Sequence, residues 1–335
     1  MLRTAVLGYG LAGRVFHARL IEAEPRMTVS HVVTADPGRA AQAAADLPRA
    51  RVVSSAEELW RLADELDVVV VATSNPSHLP LALRALELGK PTVVDKPMTL
   101  DAADAEHLCR AASVPLSVFH NRRWDSDTLA ARELLDRGVL GEVFRLEARF
   151  ARFRPQVLDR WREDAASGGG VLLDLGTHVV DQALHLLGPA IEVYAEVDVR
   201  RTGGHADDDC FLALTHATGA RSHLWTSMAA PVNGPRLLMQ GIRAGWVKDD
   251  LDGQEDALRA GAAMDDEPAG RLYDADGVHD LPSPRGRWGD YYALFAAAVL
   301  DGGPVPVDPE DAVTVLRVLE AARRSAGQRR VVSLS

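Results

Sequence analysis

Cysteine is nearly absent from this chain: only Cys109 and Cys210 occur in 335 residues, far apart and without metal-ligand spacing. They read as small buried hydrophobes in a reducing compartment rather than as a disulfide. Basic residues are outnumbered by acidic ones, 37 to 48. The net charge of -11, with no basic tract to offset it, excludes nucleic acid as a partner, because phosphate binding needs clustered Lys and Arg. It equally excludes docking on an anionic membrane. No basic-then-apolar signal segment opens the chain, and no apolar run approaches about 18 residues. The expectation is a cytoplasmic protein without a membrane span. Internal repeats and low-complexity tracts are lacking as well. What is present is a length too great for one ordinary core, so two domains are expected.

Short apolar runs alternate with amphipathic segments through the first third. Strands are predicted over Thr4–Leu7, Val29–Thr34, Val52–Val53, Val68–Ala72, Thr92–Val94 and Leu116–Phe119. Helices are predicted over Leu11–Glu24, Gly38–Asp46, Ala56–Ala63, Ser77–Leu88 and Ala102–Ala112. That rhythm predicts βαβ units in a doubly wound parallel sheet, a Rossmann domain over 1–121. After residue 121 the rhythm changes. A helix over Asp127–Arg137 precedes "EVFRLEARFARF", whose alternation suits a half-exposed antiparallel strand. Further helices are expected over Leu172–Leu187, Tyr291–Leu300 and Pro309–Ala326. Further strands are expected over Ile191–Arg200, Cys210–His216, Arg221–Ser227, Arg236–Gly241 and Arg330–Leu334. The second domain, 122–335, is thus α+β with a large, mostly antiparallel open sheet.

The loop Gly8-Tyr9-Gly10-Leu11-Ala12-Gly13 follows the first strand and opens a helix. Its glycines suit a tight turn, a close backbone approach to a pyrophosphate, and helix–strand packing. The helix N-terminus would supply free N–H groups to the phosphates. Asp36, after the second strand, falls where an acid reads the adenosine ribose and repels a 2′-phosphate, which favours NAD. Asp36-Pro37 is also a good N-cap and N1 pair, and Arg39 keeps NADP open. Thr73, Asn75 and His78 follow the fourth apolar run at the carboxyl edge of the sheet. There they would cap a helix and border the nicotinamide. "PTVVDKPM" ends a buried strand on Asp95, Lys96 and Pro97, where Asp95 and Lys96 are expected to contact the cofactor.

"GGGVLLDLGTHVVDQALHLLG" places Asp174, His178, Asp181 and His185 at helical spacings on one face. Three readings compete: a metal site, a structural polar network, or a histidine base oriented by a carboxylate one turn earlier. One helix cannot supply a closed shell, and no second His/Cys cluster appears, so no metal is expected.

Together the glycine loop, "DKP" at 95–97 and Asp174-x-Gly176-x-His178 resemble the Gfo/Idh/MocA oxidoreductases, the glucose–fructose oxidoreductase and inositol dehydrogenase family. "SVFHNRRWDSD", "FRPQVLDRWRE" and "DGQEDALRAG" look most like its scyllo-inositol dehydrogenase branch, whose members use NADP or NAD. The resemblance implies a Rossmann domain followed by a domain whose open sheet mediates homodimers or homotetramers. It places the family's catalytic lysine on Lys96, its aspartate on Asp174 and its histidine on His178. Two departures stand out. Asp95 replaces the usual glutamate before the lysine, and Ala35-Asp36 replaces the serine–arginine pair of the NADP-using inositol dehydrogenases. The expected reaction is hydride transfer between NAD (or NADP) and a secondary hydroxyl of a cyclic polyol or sugar. In it Lys96 would stabilise the alkoxide and His178 act as acid/base. Asn121, Arg123, Arg152, Arg154, Trp161 and Arg162, with Asp174 and His178, would bind the substrate's hydroxyls. The alternatives are a dinucleotide-binding regulator without turnover and a metal-dependent hydrolase built on the Asp174/His178 face.

Overall fold

The computed structural model describes residues 1–158, 163–165, 168–262 and 268–334. The chain forms two compact units. The first comprises Met1–Asn121, Gln254–Ala263 and Arg287–Val313; the second comprises Arg122–Gly253, Met264–Gly286 and Thr314–Ser335.

In the first unit β1 (Leu2–Leu7), β2 (Met27–Val33), β3 (Arg51–Val53), β4 (Val68–Val71), β5 (Thr92–Val94) and β6 (Leu116–Val118) form one sheet. All pairings are parallel and the order is β3-β2-β1-β4-β5-β6. Parallel strands are covered on both faces, which is why β4 is four consecutive valines, every one of them fully buried. The connecting helices are α1 (Arg19–Ala23), α2 (Pro37–Asp46), α3 (Ala56–Trp60), α4 (His78–Glu87) and α5 (Ala102–Ala111). The segment Ala12–Ala18, expected as α-helix, is wound as a π-helix that runs into α1. Two helices from later in the chain, Gln254–Ala260 and Gly289–Asp301, complete this unit. The first of these was not evident from sequence.

The second unit contains α6 (Ser126–Asp136), β7 (Val143–Ala151), α7 (Val171–Asp174), α8 (Gly176–Leu187), β8 (Ala190–Asp198), β9 (Asp209–His216) and β10 (Arg221–Ser227). It continues through β11 (Leu237–Gly241), β12 (Gly245–Lys248), β13 (Gly270–Asp274), β14 (Gly277–Leu281) and β15 (Val332–Ser333). Nine strands form one sheet in the order β14-β13-β12-β11-β7-β10-β9-β8-β15. It is mostly antiparallel, with one correction to expectation: β7 is antiparallel to β11 but parallel to β10. The cause is topological. The β8–β9–β10 meander reverses direction twice, so β10 runs with β8, and the α7–α8 crossover returns the chain to start β8 parallel to β7. Alternation in β7 still buries one face, Leu146, Ala148 and Phe150. On the other face Phe211, His223 and Trp225 stay half-exposed, with Phe211 and Trp225 ring centres 5.1 Å apart. The Arg149 guanidinium lies 3.9 Å above Trp225.

The run read as one helix, Leu172–Leu187, is two. Thr177 Oγ1 donates to the Leu173 carbonyl at 3.1 Å, a bond that competes with the helical ladder, and Gly176 beside it weakens the helix further. Both thiols are free; Cys210 is buried as expected, whereas Cys109 is only half-buried. Among the described residues no helix is long and apolar enough to cross a membrane.

Candidate functional site

Gly8 adopts φ +93°, which favours glycine, and a Cβ there would meet the Ala72 carbonyl oxygen at 2.5 Å. A Cβ on Gly13 would lie 1.9 Å from the Gly8 oxygen, so the helix start packs directly on the loop. Gly10 differs: a Cβ there would meet nothing within 4 Å. Its glycine leaves open space at the N-terminus of a helix, which fits the backbone approach a dinucleotide pyrophosphate requires. Tyr9 turns inward and donates from its hydroxyl to Asp46 Oδ2 at 3.2 Å, while Leu11 is exposed. Asp36 is exposed at the end of β2 and caps α2, its Oδ1 accepting from Arg39 N–H at 2.8 Å.

After β4, Thr73 Oγ1 accepts from Ser77 Oγ at 2.8 Å and Asn75 is buried. His78 is not open to a ligand. It is buried, with Nδ1 2.8 Å from the Pro97 carbonyl and Nε2 3.2 Å from the Thr73 carbonyl. Burial pushes this imidazole below its ordinary range, against the pull of Asp95 and the two carbonyls. The ring therefore braces the β4 loop against the Lys96-Pro97 segment, whose peptide bond is cis. Asp95, the unexplained acid before the lysine, has two partners. Oδ1 accepts from Lys96 N–H at 2.8 Å, and Oδ2 lies 3.7 Å from His17 Nε2. Burial raises the Asp95 carboxyl, but His17, Lys96 and His78 outweigh it and hold the group below the usual carboxylate range.

In the second unit His178 is buried on α8 and stacks on Phe150 with 6.1 Å between ring centres. Three guanidiniums surround the same ring: Arg122 at 4.6 Å, Arg152 at 5.3 Å and Arg236 at 5.6 Å. Arg122 and Arg236 are buried and paired with carboxylates, to Asp125 at 2.9 Å and Asp127 at 3.2 Å. Arg236 also donates to Gln182 Oε1 at 2.7 Å, and Gln182 donates to Thr128 Oγ1 at 2.6 Å. Arg123 grips both oxygens of Asp181, at 2.6 Å from Nη2 and 3.0 Å from Nε. Asp181 is thus engaged with an arginine, and the helix break puts Asp174 on α7, apart from the other three polar residues on α8. Among the described residues no group of His, Cys, Asp and Glu is arranged to hold a metal ion. Asn121 is buried at the end of the first unit and Arg154 is exposed; Trp161 and Arg162 lie outside the described residues. His17, Tyr292, Asp125, Phe150 and Arg236 were missed from sequence, where none carries a spacing signal.

A parallel sheet ordered β3-β2-β1-β4-β5-β6 with an open glycine at its first helix defines a dinucleotide-binding protein. Residues 2–119 match the family model described as an oxidoreductase family with an NAD-binding Rossmann fold. Residues 128–246 match that of the GFO/IDH/MocA C-terminal domain. The chain is 34% identical to scyllo-inositol 2-dehydrogenase (NADP(+)) IolW of Bacillus subtilis, over 99% of this chain and 96% of the relative. It is similar to the solved structure of a protein described as oxidoreductase YvaA of Bacillus subtilis: 34% identity, TM-score 0.93, 100% and 98% of the two chains. A protein described as an oxidoreductase of Klebsiella pneumoniae gives 36% identity and a TM-score of 0.90 over 100% and 95%. The chain belongs to the Gfo/Idh/MocA family of NAD(P)-dependent oxidoreductases.

Asp125 generates a prediction. It is fully buried, and burial with Asp127 and Asp252 nearby outweighs Arg122 and Arg236, pushing its carboxyl up to about 7. An acid raised in the folded state adds stability as pH falls from about 7 toward its unfolded value of about 4. Urea midpoints of the native chain and Asp125→Asn should therefore differ more in the native chain's favour at about pH 5 than at about pH 8. An equal difference at both would refute the raised value.

Proposed function

We propose that this chain is an NAD-dependent dehydrogenase acting on a secondary hydroxyl of a cyclic polyol or sugar. The observation that supports it best is Lys96, which leaves the carboxyl end of β5 with its backbone fixed by Asp95. In open α/β sheets ligands bind at that edge. Bound nicotinamide supplies the hydride acceptor. Gly8, Gly10 and Gly13 hold the pyrophosphate end, and Asp36 accepts from the ribose hydroxyls. IolW is named for NADP(+); Asp36 in this chain would repel a 2′-phosphate. Lys96 donates to the developing alkoxide, where a charge in a low-dielectric site acts strongly. His178 removes the hydroxyl proton and Asp174 orients its ring. Asn121, Arg152 and Arg154 donate to the remaining hydroxyls, while Arg123 is held by Asp181. The likeness to a scyllo-inositol dehydrogenase supports an inositol-type substrate.

A panel of inositol isomers and hexoses, run with NAD and NADP, tests the reading through formation of the reduced cofactor. NAD should be preferred by about tenfold, equivalent to about 1.4 kcal/mol. Lys96→Ala and His178→Ala should each lower kcat by roughly 10²–10⁴-fold. Native turnover in either variant would remove that residue from the chemistry, and a chain inert toward the whole panel would favour a regulator.

We infer also that a second copy packs on the half-exposed sheet face, giving a homodimer or homotetramer. The half-exposed rings of Phe211, His223 and Trp225 support this. Light scattering should give the mass of two or four chains, and Trp225→Asp should reduce it to one. A native chain that is monomeric at assay concentration would sink the idea.

A further inference from the structure

Within the first unit a buried row of polar groups runs from helix Gly289–Asp301 to the end of β5. Tyr292 is fully buried, and its hydroxyl lies 2.6 Å from His17 Nδ1. Burial pushes this phenol well above its ordinary value, so it keeps its proton and donates it to Nδ1. With Nδ1 accepting, the ring's N–H is Nε2. That edge faces Asp95 Oδ2 from 3.7 Å, which is longer than a hydrogen bond. His17 is itself fully buried, and in such surroundings attraction between a polar N–H and a carboxylate is weakly screened. Phe119 fixes the ring's plane, with its centre 4.4 Å from His17 and 5.9 Å from Tyr292. The second oxygen of the same carboxylate is the one that accepts from Lys96 N–H. Asp95 is therefore held on one side by the His17 ring and holds the lysine's main chain on the other.

We propose that Tyr292, His17 and Asp95 are positioning residues for Lys96: the phenol and ring orient the carboxylate, and the carboxylate sets where the lysine leaves β5. None of the three reaches the reacting atoms. They act through the lysine's backbone, and the proposal rests on the catalytic reading of Lys96 given above. A reacting group displaced by about 1 Å loses on the order of 10²-fold in rate, so partial release of the clamp should cost about tenfold.

Four variants and one control test this. Tyr292→Phe removes only a hydroxyl, and Asp95→Asn keeps an acceptor for Lys96 N–H but removes the charge facing His17. Each should lower kcat about tenfold while the Michaelis constants for cofactor and polyol stay within about twofold. His17→Gln, whose amide nitrogen can occupy the place of Nε2 but which gives up the Nδ1 acceptor for Tyr292, should fall no further than Tyr292→Phe, whereas His17→Leu should fall further. A packing role alone would treat those two alike. Lys96→Ala is the control. If it abolishes turnover while Tyr292→Phe and Asp95→Asn keep native kcat, the proposal is overturned and the functional reading survives. Equal losses in His17→Gln and His17→Leu overturn it as well. Native turnover in Lys96→Ala would overturn the functional reading and, with it, the proposal.

Discussion

The backbones of Gly8 and Ala72 lie almost in contact, and the cofactor end of the first unit is organised by that approach. A methyl group on Gly8 would sit 2.5 Å from a carbonyl oxygen, so β1 and β4 could not end side by side with any other residue there. Gly13 repeats the constraint one turn later against Gly8 itself. Both glycines are thus explained by the protein's own packing. Gly10 is not: a Cβ there would meet nothing within 4 Å, so its backbone faces open space. That contrast separates the two glycines fixed by packing from the one that leaves room at the helix N-terminus.

The second unit solves a different problem, that of burying charge beside a histidine. Asp125, Asp127, Asp181 and Asp252 share this region with Arg122, Arg123 and Arg236. Desolvating so many charges is expensive, and the removal of one partner would strand the other without water. Burial pushes the Asp125 carboxyl up to about 7, which relieves part of the excess of carboxylates. The guanidiniums of Arg122 and Arg236 in turn lie over Phe150, whose ring stacks on His178. The setting of this histidine is therefore a rigid, nearly balanced electrolyte rather than an apolar pocket.

The first unit was legible because parallel strands are buried on both faces and announce themselves as apolar runs, four valines in the case of β4. β12, β13 and β14 escaped notice because they are runs of only four or five residues, and β14 is exposed almost throughout, so no alternation marks it. The crossover that makes β7 parallel to β10 is likewise invisible in the local pattern of β7. Site residues divide in the same way. Lys96 and the glycine loop stand at ends of recognisable strands, whereas His17 and Tyr292 lie 275 positions apart and meet only through packing. Asp95 was visible as an oddity, but its partners were not. His78 shows the limit of position as a guide: it sits at the carboxyl edge, yet each of its nitrogens faces a backbone carbonyl, to one of which the neutral ring donates.

Asp36 has a consequence for how this protein could change over evolutionary time. The same carboxylate that would read the ribose also closes the first turn of α2. Replacing it with a residue suited to a 2′-phosphate, such as arginine, forfeits a cap worth about 1 kcal/mol. Serine or asparagine would preserve the cap while removing the charge. On the proposed reading of Asp36, cofactor preference and helix stability would be inherited together at this position, and the path of least resistance toward NADP would run through a small polar residue first.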